Sequence, residues 1–170
     1  MGKMGGAAAE GVMRVVKKVA KEGEELPPVR RGVGHGTQQR RAGTTSGPVK
    51  FRLPKDATPE ERAQLQEYVD AANKARREGN LSPTGRVKVD GELKDQKERL
   101  AAAERRRAEQ AGEPYGDDVA AHLPDTTWTG NADPPEGWGR HTDRINSSIG
   151  SQSGRYPEGY RPTGFEIEDP

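Results

Sequence analysis

The sequence predicts an α+β fold: a small, predominantly helical domain with a few short strands and long loops. Three observations predict it. Two stretches, residues 58–79 and 90–112, carry helix-period patterns framed by start and stop signals. Two short runs, Val49–Leu53 and Gly164–Glu168, alternate apolar and polar as half-buried strands do. Only 23 of 170 residues are Leu, Ile, Val or Phe, against 22 glycines and 13 prolines, which limits the core and keeps elements short.

Taken in order, Val12, Val15, Val16 and Val19 recur at helical spacing, so a short amphipathic helix is expected at about Ala7–Lys21. Arg14, Lys17, Lys18 and Lys21 interrupt any apolar run there, so no signal peptide is expected. Residues 26–48, rich in Gly, Pro, Ser, Thr and Arg, have no periodicity and read as linker. Residues 1–48 are therefore expected to be a helix and flexible linker, a remnant of the connection to a larger protein, and residues 49–170 the folded domain. Val49, Phe51 and Leu53 alternate with Lys50 and Arg52, which suits a strand.

Thr58-Pro59-Glu60-Glu61 then supplies an N-cap, a proline at the first helical position and a capping-box glutamate. Leu65, Tyr68, Val69 and Ala72 form one apolar stripe, and Gly79 is placed as the stop. Ser82–Gly85 reads as a turn, and Arg86–Val89 as a strand or an extended link. A second helix is expected over Asp90–Ala111, with a thin stripe of Leu93, Leu100, Ala103 and Ala111 and Gly112 as its end. Beyond Tyr115 loops and short elements are expected. Asp143 caps a brief helix on which Ile145 and Ile149 share a face, and Gly164–Glu168 forms a strand.

Composition excludes several function classes. With no cysteine there is no disulfide framework, thiol nucleophile or cysteine-bound zinc. No run approaches the roughly 20 apolar residues of a membrane-spanning helix, so no membrane insertion is expected. The net charge of +1 conceals a division. Residues 1–112 hold 24 Lys and Arg against 16 Asp and Glu, whereas residues 113–170 hold 4 against 11. A basic part suits phosphates and an acidic part suits a metal ion, or the two parts dock on each other.

Most of the chemistry-bearing residues lie between Gly116 and Gly130. His122 and Asp125 form an His-x-x-Asp pair, and Pro124 between them favours a turn over a helix interior. Imidazole takes a proton from water near neutral pH or binds a metal through nitrogen. A carboxylate is a hard ligand for Mg2+ or Mn2+, and Asp117 and Asp118 would enlarge such a site. A second cluster, Trp138–Gln152, sets polar groups between two isoleucines. Its Asn146, Ser147, Ser148 and Gln152 suit capping and pinning of backbone, the commoner use of such residues. Neither serine has an evident neighbouring base, and Arg140 and Arg144 would clamp a phosphate or pair with local acids. Arg105 and Arg106, in the run at 105–107, are either a solvated helix face or a surface for a nucleic-acid backbone. His141 lacks a third partner and His35 lies in the linker, so both rank below His122.

At these residues the chain resembles the type 15 polymorphic toxins, nuclease domains of bacterial secretion-system effectors marked by an His-x-x-Asp motif. The resemblance covers roughly residues 55–170. It rests on order: a charged helical stretch at 59–111, then His122-x-x-Asp125, then Gly130, then Asn146-Ser-Ser-Ile-Gly-Ser-Gln152. Members often carry Gly-Gly soon after the motif, where this chain has Trp128-Thr129-Gly130.

The resemblance implies a metal-dependent DNase, injected into the cytoplasm of a rival cell and neutralised at home by a cognate immunity protein. It makes His122 and Asp125 the catalytic positions. The expected mechanism is phosphodiester hydrolysis, on DNA ahead of RNA. Asp125 with Asp117 or Asp118 would hold Mg2+ or Mn2+, and His122 would activate water. Arg140, Arg144 and Asn146 would contact the substrate, and Arg105 and Arg106 would grip its backbone. The alternative is a non-catalytic nucleic-acid- or protein-binding module with a basic helical arm. ADP-ribose transfer ranks last, for want of its expected arginine and glutamate context.

Overall fold

The alternation at residues 49–53 does what it predicts. In the computed structural model, which describes residues 45–168, strand β1 spans Ser46–Arg52 and turns Val49 and Phe51 fully inward. The expected N-terminal helix, most of the linker and His35 lie outside the described residues. Helix α1 follows at Pro59–Arg77. Its start is the capping box read from the sequence: the Glu61 N–H donates to Thr58 Oγ1 at 3.1 Å, and the Thr58 N–H donates to the Glu61 carboxylate at 3.0 Å. Leu65, Tyr68, Val69 and Ala72 are buried as one stripe. Gly79 takes φ +75° just past the helix end, a conformation favouring glycine.

The remaining elements are α2 (Gly91–Gln110), β2 (Val119–His122), α3 (Thr126–Thr129), β3 (Trp138–His141), α4 (Asp143–Ser153) and β4 (Arg161–Glu168). The described residues thus form four helices and four short strands in two small sheets, an α+β domain dominated by helix. β1 and β4 pair in parallel, with Val49 opposite Phe165 and Phe51 opposite Ile167. β2 and β3 pair antiparallel, with Val119 opposite His141 and His122 opposite Trp138. One core joins the layers: Val49, Phe51 and Phe165 from the parallel pair, the α1 stripe, Trp128 of α3, and Ile145 and Ile149 of α4.

Of the two readings of Arg86–Val89, the extended link is the one found, tied down by the Val87 N–H donating to the Thr127 carbonyl at 2.8 Å. Two expectations are corrected. α4 is capped by Thr142, whose Oγ1 accepts the Ile145 N–H at 3.2 Å, and Asp143 sits in its first turn. The inward face of α2 is also rotated from the expected stripe. Leu93 of the expected stripe is half-buried on that face with Lys97, Ala101 and Glu104, and Ala108 is buried, while Ala103 and Ala111 are exposed and Leu100 is 37% exposed. Alanines let α2 approach β2 closely, and the long stems of Lys97 and Glu104 cover apolar surface while their charged ends reach partners. Among the described residues no helix is long and apolar enough to cross a membrane.

Candidate functional site

β2 ends on His122, and the chain turns through Leu123-Pro124 into α3, so the strand end and the helix start face the same space. Asp125 occupies the N-cap position of α3, yet its carboxylate makes no cap bond. It accepts instead from Lys97 Nζ of α2 at 2.9 Å. The Asp125 N–H donates to the hydroxyl of Tyr68 at 3.3 Å, and burial pushes that phenol's pKa up, so the hydroxyl stays protonated. Gly130 ends α3 at φ +67°, its N–H donating to the Thr126 carbonyl at 2.8 Å. The glycine that follows the motif is therefore a left-handed helix stop.

α4 supplies the facing wall. Its 3.6-residue period sends Ile145 and Ile149 into the core and turns Asn146, Ser147, Gly150 and Ser151 the other way. These four, with Lys97 and Glu98 of α2 and with Ala120, His122 and Asp125, line one cleft of about 430 Å³. The His-x-x-Asp pair thus meets Asn146 and Ser147 although 20 residues lie between Asp125 and Asn146. Nothing lies within 4 Å of where a Gly150 side chain would project, which keeps the α4 wall open.

His122 is 5% exposed and packs edge-on against Trp138, ring centroids 4.4 Å apart. Its Nε2 lies 3.1 Å from the Ala132 carbonyl oxygen. A carbonyl only accepts, so Nε2 carries the hydrogen and Nδ1 of the neutral ring keeps a lone pair. Burial, and next the positive charge of Lys97, push the pKa down to about 4 against the opposing pull of Asp125 and the Ala132 carbonyl. The ring is therefore neutral at pH 7.

A depressed histidine pKa means that the unfolded chain binds the proton first as pH falls. Stability is full above the ordinary pKa of 6.5 and is lost as pH drops through that value to about 4. Within that window His122 alone is expected to remove roughly 1.4 kcal/mol per pH unit. Urea unfolding of wild type and His122→Gln across the window checks this: the variant should lose the extra slope, and identical slopes would contradict it.

The other predicted site residues are placed elsewhere. Asp117 is exposed and Asp118 half-buried on the loop before β2, and neither lines the cleft. Arg140 Nη1 donates to the Pro114 carbonyl at 2.8 Å, a second nitrogen donates to the Glu113 carbonyl, and the guanidinium lies 4.2 Å from the centre of the Tyr115 ring. Arg144 pairs with the Glu61 carboxylate, Nε to Oε1 at 2.9 Å, and holds that carboxyl's pKa down at about 2. Arg105 donates to the Asp118 and Gly116 carbonyls at 2.7 and 3.4 Å. Arg140 and Arg144, expected as a phosphate clamp, and Arg105, expected to grip a backbone, thus each fasten a loop or helix end, outside the residues that line the cleft. Arg106 is exposed on α2, outside the cleft. His141 is fully buried, with Nε2 3.1 Å from Glu67 Oε1 and no route to the cleft.

Two residues that shape the cleft escape sequence reading. Lys97 is the one cation among the residues lining the cleft; on the sequence it is one of many charges on a solvated helix. Tyr68 reads as core, which it is, but its hydroxyl also orients the Asp125 backbone.

Among the described residues no three His, Asp or Glu side chains gather closely enough to cage an ion. The residues lining the cleft that carry metal-ligating groups are Asp125, His122, Asn146 and Glu98. That set fits a magnesium ion that keeps most of its waters and takes one or two carboxylates. It includes Asp125 but neither Asp117 nor Asp118, the carboxylates expected beside it. Comparison of the chain with protein-family models, with curated proteins and with solved structures finds no match.

Proposed function

We propose that this cleft hydrolyses phosphodiesters of a nucleic acid, DNA ahead of RNA, with His122 as general base. The observation that carries the proposal is the convergence of His122, Asp125 and Asn146 on one open cleft around an imidazole kept neutral. A neutral ring whose Nε2–H is fixed by a carbonyl has one basic nitrogen left, the arrangement proton abstraction from water requires. Asn146 and the hydroxyls of Ser147 and Ser151 offer donors to non-bridging phosphate oxygens. Lys97 supplies the positive charge that the sequence assigned to Arg140 and Arg144. Asp125, drawn between Lys97 and the cleft, would hold a hydrated Mg2+ or Mn2+. Such an ion, when bound, polarises the phosphoryl oxygen and steadies the leaving group.

The resemblance to type 15 polymorphic toxins supports this reading through the same residues. On that reading the chain is the toxic part of a larger translocated effector, acts in the target-cell cytoplasm and is covered at the cleft by an immunity protein.

The test is cleavage of supercoiled plasmid and of RNA by the purified full chain, with magnesium or with chelator. Cleavage of either substrate should stop with chelator. Asp125→Asn keeps the shape and removes the charge, so its rate should fall by about 10² or more at ordinary magnesium. Full rates in Asp125→Asn would overturn the assignment, and salt-sensitive binding without any turnover would select a binding module instead.

A further inference from the structure

A second pocket, of about 380 Å³, lies where the end of α4 meets the edges of β1 and β4. Lys50, Arg52 and Arg155 line it with one carboxylate, Glu168, and with Gln152 and Tyr156. We propose that it binds a backbone phosphate of the nucleic-acid strand engaged by the catalytic cleft, an inference that rests on the nuclease reading.

The pocket is built on fixed groups. Gln152 Oε1 accepts the Arg52 N–H at 2.8 Å, and its Nε2 donates to the Arg52 carbonyl at 3.0 Å, locking α4 to β1. The Tyr156 hydroxyl accepts the Lys50 N–H at 2.8 Å, which leaves its own proton to donate into the pocket. The cations are less committed. Lys50 meets Glu166 at 3.4 Å and Arg52 meets Glu168 at 2.6 Å, with the Lys50 side chain half exposed and that of Arg52 largely exposed. Such exposed pairs are worth little and exchange readily for a phosphate. Arg155 is exposed and pairs with no carboxylate among the described residues. It stands apart in a region of 4 cations against 11 acids, where Arg140 and Arg144 are spent on structural contacts.

Position links the two sites. Ser151 lines the catalytic cleft and Gln152, the next residue, lines the second pocket. The two pockets thus lie on different sides of one helix, and a strand that leaves the cleft around the C-terminal end of α4 would meet the positive charge of Arg155 there. Backbone contacts of this kind position a strand without reading its sequence.

The experiment uses the full chain carrying His122→Ala, in chelator, with anisotropy of a labelled DNA duplex and of a labelled single-stranded RNA measured against salt. Adding Arg155→Ala should weaken binding equally for unrelated sequences. The slope of log affinity against log salt should shrink by about 0.9 for duplex or about 0.7 for a single strand. Because Arg155 is exposed, the fold should survive the change, and a matching unfolding midpoint verifies it. Unchanged affinity and slope in Arg155→Ala would overturn the pocket while leaving the catalytic cleft intact. Wild-type cleavage rates in His122→Ala would overturn the cleft, and binding without salt dependence would overturn both.

Discussion

Trp128→Ala is expected to cost about 3–5 kcal/mol of folding stability, a large part of the roughly 5–15 kcal/mol that holds a domain folded. The indole is 1% exposed and meets Tyr156 and Phe165 edge-on, at centroid distances of 5.7 and 5.6 Å. Its Nε1–H donates to Ser153 Oγ at 3.1 Å, so the substitution also removes one hydrogen bond from a buried hydroxyl at the end of α4. α3 is only four residues long and has no other large anchor, so removing the indole frees the turn that carries Asp125. Urea unfolding should show a lower midpoint, and the proposed nuclease activity should fall at temperatures where the variant is still folded. A loss below about 1 kcal/mol would mean that α3 is held by something other than its tryptophan.

That dependence explains what the sequence could reveal and what it could not. β1, α1 and β4 were legible because each combines a strong period with punctuation. Val49 and Phe51 alternate, Thr58-Pro59-Glu60-Glu61 opens a helix whose stripe continues through Ala72, and Phe165 sits in the final alternation. β2 and β3 were not legible. They are four residues each, and Ala120, Ala121 and Gly139 carry no strand preference. Pairing with each other, and packing of Trp138 on His122, make them strands.

The site divides the same way. His122, Asp125 and Asn146 could be nominated because their chemistry is local to short segments. Arginine carries no local mark separating a free cation from a fastening, so Arg140 and Arg144 looked like clamps until Glu113, Pro114 and Glu61 met them. Lys97 was hidden for the converse reason. Only the packing of α2 on β2 turns that one lysine of a charged helix toward Asp125.

His122→Gln is expected to slow hydrolysis by about 10²–10⁴, the range a positioned general base contributes. Glutamine can still donate an N–H toward the Ala132 carbonyl and fill the space beside Trp138. It has no basic nitrogen to take a proton from water. The loss should therefore fall on the rate of the bound complex, with nucleic-acid affinity nearly unchanged. Between pH 6 and 7 the wild-type rate should not drop through histidine protonation, since the ring loses its proton at about 4.

The deciding comparison is a time course of supercoiled plasmid cleavage in magnesium, wild type beside His122→Gln, with equal folded fractions verified by unfolding. Nicked and linear products forming at least about 100-fold more slowly in the variant is the expected result. Overlapping time courses would contradict a general base at His122 and, with it, the nuclease reading of the cleft.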